Sequence, residues 1–151
     1  MKFAPFASSM EIREVAVIGA GTMGAGIAQI CAQSGWKTNL FDAFPEGLER
    51  GMARIDAFWD KGIARGKTTP EQKAEWGTNL HAVNDMAAAV GNADMVIEAV
   101  PEIPDLKQSI FADLDRLAPA HAILGTNTSS LSIAGIAGAT SRPEQVIGMH
   151  F

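Results

Sequence analysis

Cysteine is almost absent from this 151-residue sequence, in which Cys31 stands alone. An intrachain disulfide is therefore excluded, and the composition suits a reducing compartment, so a cytoplasmic location is expected. Long basic runs are missing too, and the net charge is −5. A nucleic-acid partner is not expected of such a chain. No apolar stretch approaches the roughly 20 residues that cross a bilayer as a helix, so no membrane partner is expected either. Residues 1–9 hold one lysine and too short an apolar stretch for a secretory signal. Residues 1–11 are read as a leader and 12–151 as one domain. Repeats, low-complexity tracts and metal-ligand spacings are likewise lacking.

What the sequence does have is apolar mass. Hydrophobic residues make up 47% of it and the mean hydropathy is +0.08, which fits a buried parallel sheet better than disorder. A chain of this length buries about two-thirds of its unfolded surface in a real core. Short apolar runs mark strands at Glu14–Ile18, Lys37–Phe41, Leu80–Val83, Ala93–Val100, Ala122–Thr126 and Val146–Phe151. Helical patterns and turn residues alternate with them, which predicts an α/β fold of doubly wound, mostly parallel type joined by right-handed crossovers. The segment Pro45–Gly77 is too long for one crossover helix and reads as an inserted helical hairpin. A short helix is expected at Asp85–Val90, and an amphipathic one at Asp105–Leu117 with Leu106, Ile110, Leu114 and Leu117 on one side.

The first crossover carries the chemistry. Val15–Ile18 runs directly into Gly19-Ala20-Gly21-Thr22-Met23-Gly24, a G-x-G-x-x-G, and a helical pattern follows from Ala25 to Ser34. Strand, glycine turn and helix in that order form a dinucleotide-binding signature. Gly19 serves the tight turn, Gly21 lets backbone approach a pyrophosphate, and Gly24 permits close helix packing. The helix start offers unpaired N–H groups to the phosphates. Asp42 closes the second apolar run at the distance expected of a ribose-binding carboxylate. Ala43, Phe44 and Pro45 follow it, so no adjacent arginine invites a 2′-phosphate and NAD is the expected cofactor. The same aspartate could simply cap the next helix.

Later segments add polar groups at strand ends. Glu98 lies within a nearly all-apolar strand and must have a partner, structural or cofactor-related. Thr126-Asn127-Thr128-Ser129-Ser130 makes a hydroxyl-rich loop, and His150 stands at the carboxyl end of the last strand, where open α/β sheets bind ligands. In the hairpin, Arg50, Arg54, Lys61 and Arg65 fall within about 60° of one another on a helix. A solvated face explains that stripe, and so does a contact surface for an anionic ligand tail.

Four segments, VIGAGTMGAGIAQ, ADMVIEAVPE, GTNTSSLSI and RPEQVIGMHF, resemble the NAD-binding domain of the L-3-hydroxyacyl-CoA dehydrogenases. The resemblance covers essentially the whole chain after residue 12. It implies that Gly19, Ala20, Gly21, Thr22, Met23 and Gly24 cradle NAD and that Asp42 takes its adenosine ribose. It implies further that Val100 contacts the cofactor and that Glu102 and Lys107 lie on its nicotinamide side. Asn127 and Ser129 would sit beside the nicotinamide, with Ser129 also at the substrate oxygen, and His150 would be the catalytic base. Arg54, Lys61 and Arg65 match only the general region of the family's CoA-contacting hairpin. Taken without the resemblance, Ser129 is also an ordinary turn or cap residue and His150 an ordinary strand-end residue.

The implied reaction is oxidation of (S)-3-hydroxyacyl-CoA to 3-oxoacyl-CoA, as occurs in fatty-acid β-oxidation. A cofactor-binding unit without turnover and a dehydrogenase of a free 3-hydroxyacid are the rival readings. Family members continue past the His-Phe pair with an orienting carboxylate and a helical domain. Little turnover is accordingly expected of the 151-residue chain alone, and its apolar surface is expected to favour a homo-oligomer.

Overall fold

A computed structural model describes residues 11–128 and 132–151. The leader expected over residues 1–11 lies outside the described residues but for its last position. The chain builds β1 (Glu14–Ile18), α1 (Thr22–Gln33), β2 (Lys37–Phe41), α2 (Pro45–Ala64), α3 (Pro70–Asn79), β3 (Leu80–Val83), α4 (Met86–Val90), β4 (Met95–Glu98), α5 (Pro104–Leu117), β5 (Ile123–Thr126), α6 (Ile133–Ala137), a 3₁₀ turn (Pro143–Gln145) and β6 (Val146–Gly148). Every strand pairs in parallel, in the order β3-β2-β1-β4-β5-β6. This is the doubly wound arrangement expected from the alternating pattern. β1 lies centrally, with Val17 in register with Leu40 on one side and Ile97 on the other.

A sheet covered on both faces has no solvent side, which is why its strands read as unbroken apolar runs. Val15 and Val17 point to one face, where α1 and α2 bring Ile27, Ala28, Leu48, Ile55 and Trp59. Ala16 and Ile18 point to the other, against Ile110, Phe111 and Leu114 of α5 and Ile136 of α6. Pro45 and Pro70 occupy first-turn positions of the two hairpin helices, and Thr69 with Gln72 forms a capping box that starts α3. The hairpin closes through Trp59 and Trp76, whose ring centroids are 5.8 Å apart.

Several boundaries differ from the sequence reading, some by a single residue and others by more. Helix α1 begins at Thr22, because the Ala25 N–H already donates to the Gly21 carbonyl at 2.9 Å. β4 covers only part of Ala93–Val100: the Asp94 carboxylate accepts the Arg13 and Glu14 N–H groups, and Val100 gives its N–H to the Glu98 side chain. β6 stops at Gly148, with the Met149 N–H to the Thr126 carbonyl at 2.9 Å as a further contact to β5. Leu106 also departs from expectation, being 37% exposed and turned toward the cleft described below rather than into the core. No helix among the described residues is long and apolar enough to cross a membrane.

Candidate active site

Successive connections leave β1 and β4 toward opposite edges of the sheet, so a crevice opens outside their carboxyl ends. The glycine turn fills its floor. Gly19 adopts φ +105°, and a Cβ there would come within 2.8 Å of the Ala99 carbonyl oxygen. A Cβ on Gly24 would overlap the Gly19 carbonyl oxygen, so only glycine lets α1 rise directly from the turn. At Gly21 a Cβ would meet nothing within 4 Å. Two of the glycines are thus demanded by the fold, and the third leaves open space on the cleft side. No side chain caps the start of α1 and its first turn carries no acid, which leaves its N–H groups available to an anion.

Asp42 ties this turn to β2. Its Oδ2 accepts the Ala20 N–H at 2.8 Å, and its Oδ1 accepts the Phe44 N–H at 2.9 Å. The capping reading is not met, because the N-cap of α2 is Phe44 and no side chain caps that helix. The bond from Phe44 makes a local turn, while the bond from Ala20 fixes the carboxylate beside the glycine turn. A carboxylate oxygen accepts more than one hydrogen bond, so both retain capacity for ribose hydroxyls. The premise that no arginine stands beside Asp42 holds for its chain neighbours and fails in space. Arg50 and Arg54 of α2 line a recess of about 310 Å³ with Asp42, Gly21 and Thr22. Helix periodicity, not adjacency, brings them there. The basic stripe divides accordingly, since Lys61 and Arg65 are exposed and line neither this recess nor the main cleft.

On the far side of the crevice an ion network organises β4, α5 and β5. Glu98 and Lys107 are both fully buried, and Lys107 Nζ donates to Glu98 Oε2 at 2.6 Å. The same carboxylate accepts the Val100 N–H at 2.8 Å and the Thr126 hydroxyl at 2.7 Å. Lys107 also lies 3.1 Å from Glu102 Oε1 and 3.4 Å from the Asn127 carbonyl oxygen. The Thr128 hydroxyl donates to Glu102 Oε2 at 2.6 Å. The partner that Glu98 required is thus Lys107, nine residues on. Lys107 lies beneath the cleft wall, and through Glu102 and Asn127 it fixes two groups that face the opening. Thr126 and Thr128 complete this network and carried no sequence signal beyond lying in a hydroxyl-rich loop.

The main cleft measures about 720 Å³ and brings together Gly19, Gly21, Thr22, Met23, Asp42, Val100, Glu102, Asn127 and His150. Ala20 and Gly24 are buried in the turn itself, and Ser129 lies outside the described residues. His150 is exposed at the carboxyl end of the sheet, opposite the glycine turn. The donor set suits a dinucleotide: open amides at a glycine that admits close approach, a fixed carboxylate on one flank, and polar groups with an imidazole on the other.

Comparison with known proteins agrees with this geometry. The family model described as "3-hydroxyacyl-CoA dehydrogenase, NAD binding domain" matches residues 14–151. A probable 3-hydroxybutyryl-CoA dehydrogenase of Bacillus subtilis is 42% identical over 94% of this chain and 49% of its own length. The 3-hydroxyadipyl-CoA dehydrogenase of Escherichia coli is also 42% identical, over 94% of this chain and 30% of its own. The crystal structure of FadB2 from M. tuberculosis superposes with a TM-score of 0.90 at 35% identity, covering 93% of this chain and 49% of that one. That of the E. coli 3-hydroxybutyryl-CoA dehydrogenase gives a TM-score of 0.90 at 42% identity, covering 93% and 30%. The chain spans about half or less of the length of these relatives. With sequence, sheet order and glycine turn in agreement over residues 14–151, the chain belongs to the family of NAD-binding domains of the 3-hydroxyacyl-CoA dehydrogenases.

Proposed function

We propose that this domain serves an enzyme that oxidises (S)-3-hydroxyacyl-CoA to 3-oxoacyl-CoA, a reaction reversible in the synthetic direction. The observation that carries this reading is the convergence of the glycine turn, Asp42, Asn127 and His150 on one cleft of about 720 Å³. NAD, when bound, supplies the hydride acceptor. The turn from Gly19 to Gly24 receives its phosphates and Asp42 its adenosine ribose. Val100, Glu102, Lys107 and Asn127 shape the nicotinamide end, Lys107 acting from below. His150 takes the proton of the substrate hydroxyl at an imidazole nitrogen, a group suited to proton transfer near neutral pH. Ser129 hydrogen-bonds the substrate oxygen, a role that rests on the family resemblance. Lys61 and Arg65, the part of the basic stripe that lies away from the Asp42 recess, offer cations toward the CoA end.

The single cysteine and the acidic balance support a cytoplasmic protein whose partners are this thioester and its own copies rather than nucleic acid or membrane. Exposed apolar side chains at the cleft mouth, among them Phe44 and Phe151, favour self-association.

In the enzyme that this domain serves, acetoacetyl-CoA-dependent oxidation of NADH, lost in His150→Ala, is the expected result. Oxidation with free acetoacetate but not with the thioester would assign a free hydroxyacid instead. Tight NADH binding with no turnover on either substrate would assign a cofactor-binding unit.

A further inference from the structure

We infer that Arg50 and Arg54 form a phosphate subsite beside Asp42 which takes the 2′-phosphate of NADP(H), so that this domain binds both nicotinamide cofactors. The inference rests on the dinucleotide reading of the cleft. Its structural basis is the way α2 meets the glycine turn. A Cβ on Gly47 would lie 3.1 Å from Asp42 Oδ1, and one on Gly51 would lie 2.7 Å from the Ala20 carbonyl oxygen. These two glycines, one helical turn apart, let α2 approach both Asp42 and the turn. Arg50 and Arg54 follow them by three residues each and so share that approaching side of the helix.

The result is a recess of about 310 Å³ walled by the turn, by Asp42 and by both arginines. It is continuous with the main cleft, because Gly21, Thr22, Asp42 and Phe44 border both. Among the described residues neither guanidinium has a hydrogen-bond or ion-pair partner. Two unpaired cations facing the same small space are unusual on a chain of net charge −5.

Asp42 by itself disfavours a 2′-phosphate through like charge. Its carboxylate is held in place by the Ala20 and Phe44 N–H groups, so it cannot swing aside. The arginines set two positive charges against that one negative charge, and guanidinium matches phosphate in shape and in paired donors. A 2′-phosphate on a ribose held by Asp42 would stand beside this recess, because Asp42 forms one of its walls. An arginine near the ribose site is the usual means of accepting that phosphate. Here it comes from the helix rather than from the loop after β2.

The test is a fluorescence titration of the whole chain with NADH and with NADPH, in the wild type and in Arg50→Gln/Arg54→Gln, with CoA and dephospho-CoA as further probes. NADPH is expected to bind the wild type and to weaken at least about tenfold in the double variant, the scale of a charge-assisted hydrogen bond. NADH should change less than about threefold, and the NADPH affinity should show the steeper salt dependence. Both arginines are exposed, so circular dichroism should show the variant folded. Failure of NADPH to bind the wild type, or an equal change for both cofactors, would overturn the inference. A selective loss of CoA relative to dephospho-CoA with NADPH unchanged would also overturn it and assign the recess to the thioester. If NADH itself failed to bind, the dinucleotide reading would fall first, and that outcome is separable from the others.

Discussion

Lys107 and Glu98 meet at 2.6 Å with neither side chain exposed to solvent. The pair joins α5 to the carboxyl end of β4, beneath the cleft wall. Removing one partner leaves the other charge buried, which costs about 3–5 kcal/mol. Lys107→Met should therefore lower the urea-unfolding free energy by about that amount. Adding Glu98→Gln should recover part of the loss, because the second change removes the stranded charge. A single variant as stable as the wild type would show that the buried carboxylate is compensated elsewhere.

Asp42→Ala removes a carboxylate that accepts two backbone N–H groups as well as a ribose contact. NADH affinity should fall by about 1–3 kcal/mol, the range of a charge-assisted hydrogen bond, as read by fluorescence titration. The preference for NADH over NADPH should narrow in the same variant, since like-charge repulsion of a 2′-phosphate is gone. An unchanged preference would remove Asp42 from the discrimination.

Local chemistry was the legible part of this sequence. The strand–glycine–helix order located β1, the turn and α1, because those contacts lie within a few residues of each other. The need of Glu98 for a partner was also legible, from the cost of burying a charge. Which residue answers it was not, since Lys107 sits on a helix whose docking decides the matter. The same limit applies to Arg50 and Arg54. Angular arithmetic placed them on one stripe, but only the close approach at Gly47 and Gly51 shows which surface the stripe meets. Leu106 followed the apolar period of α5 and yet faces the cleft, because it lies in the first turn of the helix, at the carboxyl end of the sheet where the cleft opens.

At the amino end of the central strands, Asp94 should make stability depend on acid. Partial burial raises its carboxyl pKa, but the hydrogen bond with His121 and those from the Arg13 and Glu14 N–H groups outweigh this, so the net displacement is downward. A carboxyl lowered in the folded state contributes stability that is present above its ordinary value of 3.8 and lost as pH falls through the lower folded value. Asp94→Asn should destabilise the protein at neutral pH, and its gap from the wild type should shrink as pH drops below that range. Urea midpoints measured against pH check this, and a gap constant down to strong acid would contradict it.

Cys31 is 3% exposed within α1, and burial pushes its thiol up to about 11. The thiolate is the reactive form, so a disulfide reagent at pH 8 should react slowly with the native protein and rapidly once it is unfolded in urea. Cofactor that stabilises the fold should slow the native reaction further. Prompt reaction of the native protein would mean that α1 opens readily.

Gly21 and Gly24 separate fold from binding within one turn. A side chain at Gly21 has free space in the protein, since nothing lies within 4 Å of its Cβ position. It enters the space that a pyrophosphate needs to reach the backbone. Gly21→Val should keep near-native circular dichroism and unfolding while NADH binding is lost. Gly24→Ala should do something different, because its Cβ collides with the Gly19 carbonyl oxygen inside the turn. Backbone cannot yield there without moving α1, so this variant should lose stability as well as binding. Overpacking of this kind costs about 1–3 kcal/mol. Undiminished NADH affinity in Gly21→Val would show that the open side of the turn faces no ligand. Equal instability of the two variants would show that the glycines serve the turn alone.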